Sequence, residues 1–209
     1  MSKVSIKRFG WIQNEWGELN QLSIPINDRG LTLGDGIFET ILILQGKPQL
    51  LSKHIDRWEK SAFLLGMSSP PNKKWISDLI NKGIHHYDLE KKNGVLRINW
   101  SRGDVSQRGI YIEEEISNPY NHRFWLEITS GEPCFRIHST MISRYEQRNA
   151  NSRLTQCKTF AYGQAIQARR EAEIAGYDDA LLLSTNGGVC CGSSSNLIVR
   201  RQNIWLTPP

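Results

Sequence analysis

The stretch QCKTFAYGQAIQARREAEIAG, from Gln156 to Gly176, sets Lys158 at the end of a short apolar run and directly before a long amphipathic helix. That lysine is the leading candidate for chemistry in the chain. An amine forms a Schiff base with an aldehyde only when it is neutral, and burial or a neighbouring positive charge is what lowers a lysine pKa towards working pH. Most lysines are solvated surface groups, so the reading needs a second, independent signal. Arg169 and Arg170, further along the same helix, are expected to face solvent.

The rest of the chain divides in two around this segment. Residues up to about Tyr111 read as short strands and hairpins followed by two helices, an α+β pattern, with Gln45-Gly46-Lys47 turning ETILIL into PQLL. Ile55, Trp58, Ala62 and Leu65 form one stripe at helical spacing, with Ser52 as the expected N-cap and Gly66 as the stop. Trp75, Ile76, Leu79 and Ile80 repeat that pattern in a second helix. The polar, proline-bearing stretch EEEISNPYNHR reads as a connection, so the expected organisation is a small N-terminal domain over 1–112, a linker over 113–123 and a larger domain over 124–209. Beyond the linker come FWLEIT, the Lys158 strand and helix, and two strands joined at TNGG.

Composition fits a soluble enzyme. The chain has 209 residues, a formal net charge of +5 and an isoelectric point near 9.1, enough length to bury a real core. Its Lys and Arg are scattered and no basic run interleaves with aromatics, which argues against nucleic acid as the partner. The mild excess fits anionic ligands. The longest apolar run, Ile41 to Leu44, cannot span a bilayer, and the first residues lack the apolar core of a targeting signal, so no membrane partner and a cytoplasmic location are expected. Cys134, Cys157, Cys190 and Cys191 lack metal-ligand spacing; neighbouring cysteines on a strand should point to opposite faces, and reduced, mostly buried thiols are expected.

Four segments in order supply the second signal: DRGLTLGDGIFETI (Asp28 to Ile41), His54-Ile55-Asp56-Arg57-Trp58, RINWSRGDVSQRGIY (Arg97 to Tyr111), and YDDALLLSTNGGVCCGSSSNLIV (Tyr177 to Val199) after Lys158. Together with Lys158 they resemble the class IV, fold-type IV family of pyridoxal-phosphate enzymes, over nearly the whole chain. That family includes branched-chain and D-amino-acid aminotransferases and 4-amino-4-deoxychorismate lyases. The loop with Ser101-Arg102-Gly103 and then Arg108-Gly109-Ile110-Tyr111 looks most like the lyase branch, although the spacing from Arg102 to Arg108 is one residue longer than the usual lyase pattern. The resemblance implies a two-domain fold with a barrel-like sheet in the C-terminal domain. It also implies that the chain stops, at Ile204 to Pro209, where members continue into a segment closing the cofactor site.

For single residues, the resemblance implies that Lys158 carries pyridoxal 5'-phosphate. Arg57 would grip the phosphate, for which a planar, always charged guanidinium is suited. Tyr162 would bond the ring hydroxyl, and Ser194, Ser195 and Asn196, beside Ser193, would lie near the phosphate. Arg97 and Arg108 would take substrate carboxylates, with the Arg108 loop reaching a neighbouring subunit's site in a homodimer. Cys191 is a departure. The family pattern Gly-x-Val-x-Glu places a glutamate there to keep the pyridine nitrogen protonated, whereas this chain reads Gly187-Gly188-Val189-Cys190-Cys191; a thiol does that work only if it ionises. The implied activity is release of 4-aminobenzoate and pyruvate from 4-amino-4-deoxychorismate. An aminotransferase on the same fold and a non-catalytic binding protein are the alternatives.

Overall fold

A computed structural model describes residues 6–104, 109–110 and 121–208. The chain forms two compact units, one of residues 1–134 together with Cys157–Phe160, the other of residues 135–156 and 161–209.

The first unit is one six-stranded antiparallel sheet with helices packed on it. Its strands are β1 (Arg8–Ile12), β2 (Glu15–Glu18), β3 (Gly36–Leu44), β4 (Lys47–Pro48), β5 (Gly94–Ser101) and β6 (Arg123–Ser130), in the order β2-β1-β6-β5-β3-β4. The β3–β4 hairpin turns where the sequence led us to expect it. Gln45 and Gly46 both have positive φ, at 48° and 71°, the conformation that a two-residue hairpin with matching twist requires.

A short helix, α1 (Arg29–Thr32), precedes β3, and two longer ones, α2 (Leu51–Leu64) and α3 (Lys73–His86), follow β4. Most of the stripes read from the sequence face the core: Ile55, Trp58 and Ala62 on α2, and Ile76, Leu79 and Ile80 on α3, are buried against Ile37, Ile41, Ile43, Leu96 and Ile98 of the sheet, whereas Trp75 of the second stripe is exposed and meets Trp11 and Phe124 edge-on. Fully burying such side chains stabilises by roughly 1.5–3 kcal/mol each. Gly66, at φ 62°, ends α2 as expected. Ser52 does not start it. The N-cap is Leu50 in a left-handed conformation without a side-chain cap, while Ser52 Oγ accepts from Lys73.

The expected boundary at 112 differs from the structure. β6 pairs with β1 along one edge and β5 along the other, so both rows of its backbone groups are satisfied only inside the first unit, and FWLEIT is a central strand there. Most of the expected 113–123 linker lies outside the described residues.

The second unit is the smaller of the two. It holds β7 (Thr140–Arg148), α4 (Gly163–Ile174), β8 (Asp179–Ser184) and β9 (Val189–Gly192), with a separate hairpin of β10 (Val199–Arg201) and β11 (Ile204–Leu206). β7 runs parallel to β8, and β8 antiparallel to β9. Ala168 and Ala172 of α4 pack on Ala180 and Leu182 of β8, small residues that let the helix lie close to the sheet. The TNGG turn joins β8 to β9, with Gly187 and Gly188 at φ 91° and 80°. Among the described residues this unit's main sheet has three strands and does not close into a barrel. No described helix is long and apolar enough to cross a membrane.

Candidate functional site

Lys158 owes its position to a free edge. β4 covers only Ile43 and Leu44 of β3, which leaves the groups at Gly36–Phe38 without a strand partner on that side. The segment Cys157–Phe160 fills the gap. Phe38 N–H donates to Lys158 O at 2.8 Å, Phe160 N–H donates to Gly36 O at 2.9 Å, and Thr159 sits opposite Ile37 in an antiparallel bridge. Side chains alternate along an extended segment. Thr159 is accordingly buried on the helix side with Ile37, and Lys158 and Phe160 share the other side with Phe38.

On that side Lys158 Nζ lies 5.0 Å from the centroid of the Phe38 ring, and the Arg97 guanidinium of β5 lies 3.7 Å from the same centroid. An arginine guanidinium and a lysine amine against one aromatic ring form the centre of a site suited to anionic ligands. Asn99 orients Arg97 by accepting from its Nε at 2.8 Å. Phe160 stacks with Phe38 at 6.3 Å and tilts against Trp125 at 5.4 Å, so Lys158 is framed by aromatic rings. Gly36 makes room for this: a Cβ there would stand 2.2 Å from the Phe160 ring.

Arg57 lies on α2, on the helix side. It donates from Nε and Nη2 to the buried carboxylate of Glu39 at 2.6 and 2.5 Å, and His54 Nδ1 meets the same carboxylate at 2.8 Å. The Glu39 hydrogen bond holds the guanidinium above its ordinary pKa, with burial working against it. Glu39 takes two of the five donors that a guanidinium carries, and the side chain is half exposed, which leaves donors for an outside anion. Ser61, one turn along α2, donates to Arg57 O at 2.9 Å and is hydrogen-bonded to the Cys157 thiol. Burial pushes that thiol's pKa up, and the Ser61 bond partly offsets the rise. Arg57 and Lys158 are therefore linked through Ser61 and Cys157.

Two of the motif segments meet as framework. Asp28 caps α1, accepting from Gly30 N–H at 2.7 Å and Ser101 Oγ at 2.8 Å and pairing with Arg123. Arg29 and Arg102 share Asp35, at 2.7 and 3.0 Å. Arg102 also donates to Leu65 O and Gly66 O at 2.9 and 2.8 Å, closing the carbonyl end of α2. Arg102, read from the sequence as part of a lyase-like loop, is buried and structural. Arg108 lies outside the described residues.

The other sequence-derived candidates belong to the second unit. Tyr162 is half-buried at the N-cap position of α4. Cys191 pairs with Asn196 in an isolated bridge, and Gly192 N–H donates to Ser195 O at 2.8 Å, so residues 191–196 form a closed turn. Ser194, Ser195 and Asn196 are exposed on it, whereas Ser193 turns inward to donate to Asp179 at 2.5 Å. Burial opposes the charge on Asp179, but hydrogen bonds from Ser193, the Ala180 N–H and Arg169 hold its pKa below the usual range. Arg169 is thus tied to Asp179 and Glu173 and is not a purely solvated residue.

Cys190 and Cys191 do not point to opposite faces. Leu182 pairs with Cys191 and Leu183 with Val189, so Cys190 is the extra residue of a bulge and the two sulfurs lie 3.7 Å apart. All four cysteines are free; Cys134 is exposed and the other three are half-buried, more open than their composition led us to expect. Glu39 and Phe38, which shape the site most directly, were missed as site residues; the FET triplet following the aspartate and glycine motif was the available signal.

Residues 36–209 match the family model described as amino-transferase class IV. An aminodeoxychorismate lyase of Bacillus subtilis is 25% identical over 181 residues, which cover 87% of this chain and 60% of that protein. A D-alanine aminotransferase of Bacillus licheniformis is 25% identical over 205 residues, 92% of this chain and 65% of the relative. The chain therefore spans less than two thirds of the length of either. The solved fold IV-transaminase of Curtobacterium pusillum superposes with a TM-score of 0.78 at 23% identity, covering 98% of this chain and 72% of that one.

Proposed function

Because this chain belongs to the amino-transferase class IV family, we propose that it serves a pyridoxal-phosphate-dependent lyase that converts 4-amino-4-deoxychorismate to 4-aminobenzoate and pyruvate. The observation that carries the reading is Lys158 pinned to the β3 edge, beside Arg97 on the Phe38 ring and linked through Cys157 and Ser61 to Arg57.

These residues fit the cofactor by their chemistry. Lys158 Nζ is the amine that would hold its aldehyde carbon, and the uncommitted donors of Arg57 would take its phosphate. Tyr162, Cys191, Ser194, Ser195 and Asn196 are the proposed further contacts, and Arg97 and Arg108 the proposed partners of substrate carboxylates. When bound, the cofactor supplies a conjugated ring that delocalises the negative charge left by proton removal next to the substrate nitrogen. With the cofactor bound, Lys158 Nζ would take the proton from the substrate's ring carbon C4 as general base and pass it to the departing enolpyruvyl group. Arg97 holds a substrate carboxylate in bidentate geometry and so fixes which carbon faces Nζ. Phe38 and Phe160 supply apolar ring surface beside that amine. Loss of the enolpyruvyl group makes the substrate ring aromatic, a driving force that tolerates Cys191 in place of a carboxylate. A homodimer formed in the cytoplasm belongs to the same reading.

The second reading is an aminotransferase for D-amino or branched-chain amino acids. The D-alanine aminotransferase supports it at the same identity as the lyase. One experiment tests both. Protein loaded with pyridoxal 5'-phosphate should develop visible absorbance, and borohydride reduction should place the label on Lys158. Arg57→Ala should weaken cofactor affinity at least about tenfold, the equivalent of a charge-assisted bond of roughly 1.5–3 kcal/mol. Formation of 4-aminobenzoate and pyruvate supports the lyase, amino transfer to a 2-oxo acid supports the second reading, and label on another lysine refutes both.

A further inference from the structure

The bulge in β9 brings the thiols of Cys190 and Cys191 together. In a regular strand the two thiols would lie on opposite faces, but Cys190, the extra residue of β9 opposite the Leu182–Leu183 step, is re-aimed by the bulge. Their sulfurs come to 3.7 Å over the small core of Ala168, Ala172, Ala180 and Leu182, with Met141 beside them. The pair is anchored: Cys190 Sγ donates to Leu182 O at 3.3 Å, and Cys191 is fixed by its bridge to Asn196. Both residues are half-buried and reachable from solvent.

The spacing selects among thiol chemistries. A disulfide would require the sulfurs to close to about 2.05 Å, while the Cα atoms of adjacent residues sit roughly 3.8 Å apart, inside the ~4.4 Å lower end of the usual disulfide range. A single bridging atom needs no such closure. A tetrahedral centre with bonds of about 2.3 Å to sulfur spans roughly 3.7 Å between its two sulfurs. Among the described residues no group of three or more His, Cys, Asp or Glu could hold a metal ion, so ions that demand four protein ligands are poorly served. The fitting partner is a soft centre with two open valences and its own third substituent.

We propose that Cys190 and Cys191 form a binding site for monosubstituted trivalent arsenicals and like thiophilic electrophiles. With phenylarsine oxide as the probe, each sulfur forms one bond to arsenic and the arsenic–oxygen bonds break. Both thiol protons leave with the oxygen as one water, and arsenic stays trivalent. Burial and the neighbouring sulfur favour the thiol of Cys190, with the Arg148 guanidinium only partly opposing them. The site shares Cys191 with the proposed cofactor contacts, but the chelation itself needs only the two thiols.

The test titrates the full chain with phenylarsine oxide under reducing conditions and follows adduct mass and free thiols. One arsenical should bind, two thiols should disappear, and the adduct should withstand excess monothiol but yield to a dithiol such as 2,3-dimercaptopropanol. Cys190→Ser and Cys191→Ser should each weaken binding at least about a hundredfold, the loss expected when a second attachment is removed from a chelate. Cys134→Ser and Cys157→Ser should change nothing. Should a variant fail to fold, tryptic mapping of the wild-type adduct decides, since Glu171–Arg200 contains both cysteines and no other. An adduct on another peptide, binding retained in either β9 variant, or release by monothiol overturns the proposal.

Discussion

The Arg57–Glu39 pair is asymmetric, and the asymmetry can be measured. Arg57 is 50% exposed at its side chain, Glu39 only 1%. Arg57→Met leaves a carboxylate in the core with His54 as its remaining side-chain partner, and breaking a buried pair in this way costs about 3–5 kcal/mol. Glu39→Gln leaves a guanidinium that water can still reach. Its amide retains one acceptor oxygen for the two donors of Arg57, so the cost should be about 1–2 kcal/mol after screening. The double variant removes both charges and should be more stable than the sum of the single losses implies, by about 1–3 kcal/mol. Urea unfolding of the four proteins, with slopes compared to confirm that the denatured states match, gives all three numbers. If Glu39→Gln costs as much as Arg57→Met, or the two losses simply add, Glu39 is not the buried anchor of that arginine.

Three further outcomes are expected. Gly36→Ala puts a methyl 2.2 Å from a Phe160 ring already stacked on Phe38; overpacking of about 1–3 kcal/mol should displace Cys157–Phe160 and reduce borohydride labelling of Lys158, and unchanged labelling would refute the edge-strand account. Arg102→Met uncaps the Leu65 and Gly66 carbonyls and should destabilise by about 2–4 kcal/mol, read as a lower melting temperature, whereas a loss within experimental error would make Arg102 dispensable. The Cys190 thiol is pushed up from 9.0 to about 11, chiefly by burial and then by Cys191. A raised native pKa stabilises the fold fully below 9.0 and loses that contribution as pH climbs to about 11; alkylation of Cys190 should accelerate through that window, and a plateau near pH 9 would refute the shift.

The sequence was most legible where periodicity and turn chemistry act locally. The α2 and α3 stripes, the Gln45-Gly46 turn and the stop at Gly66 all follow from side-chain spacing and positive φ. The place of β6 did not, because whether FWLEIT pairs with β1 and β5 is decided by distant strands with free edges. The same reason hid the membership of Cys157–Phe160 in the first unit. Ser52 lost the N-cap position because Leu50 takes a left-handed conformation straight after β4. Arg102 carries the letters of a ligand-binding arginine, yet Asp35 and the end of α2 claim it. At Cys190 a bulge, which no two-residue alternation reveals, reversed the expected orientation.

The segment that bears Lys158 also completes a sheet edge, and this constrains how the polypeptide can be dissected. A fragment ending at Cys134 would carry all six strands of the first unit yet leave the groups of Gly36–Phe38 unsatisfied beside a Phe38 ring stripped of Phe160. An open, apolar edge of that kind recruits another strand, and self-association is the usual result. The four residues at 157–160 act as the selvage of the sheet, closing its weave with the thread that holds the candidate amine. A soluble first unit would therefore need Cys157–Phe160 supplied as a tethered strand, and any such minimal protein would bring Lys158 with it.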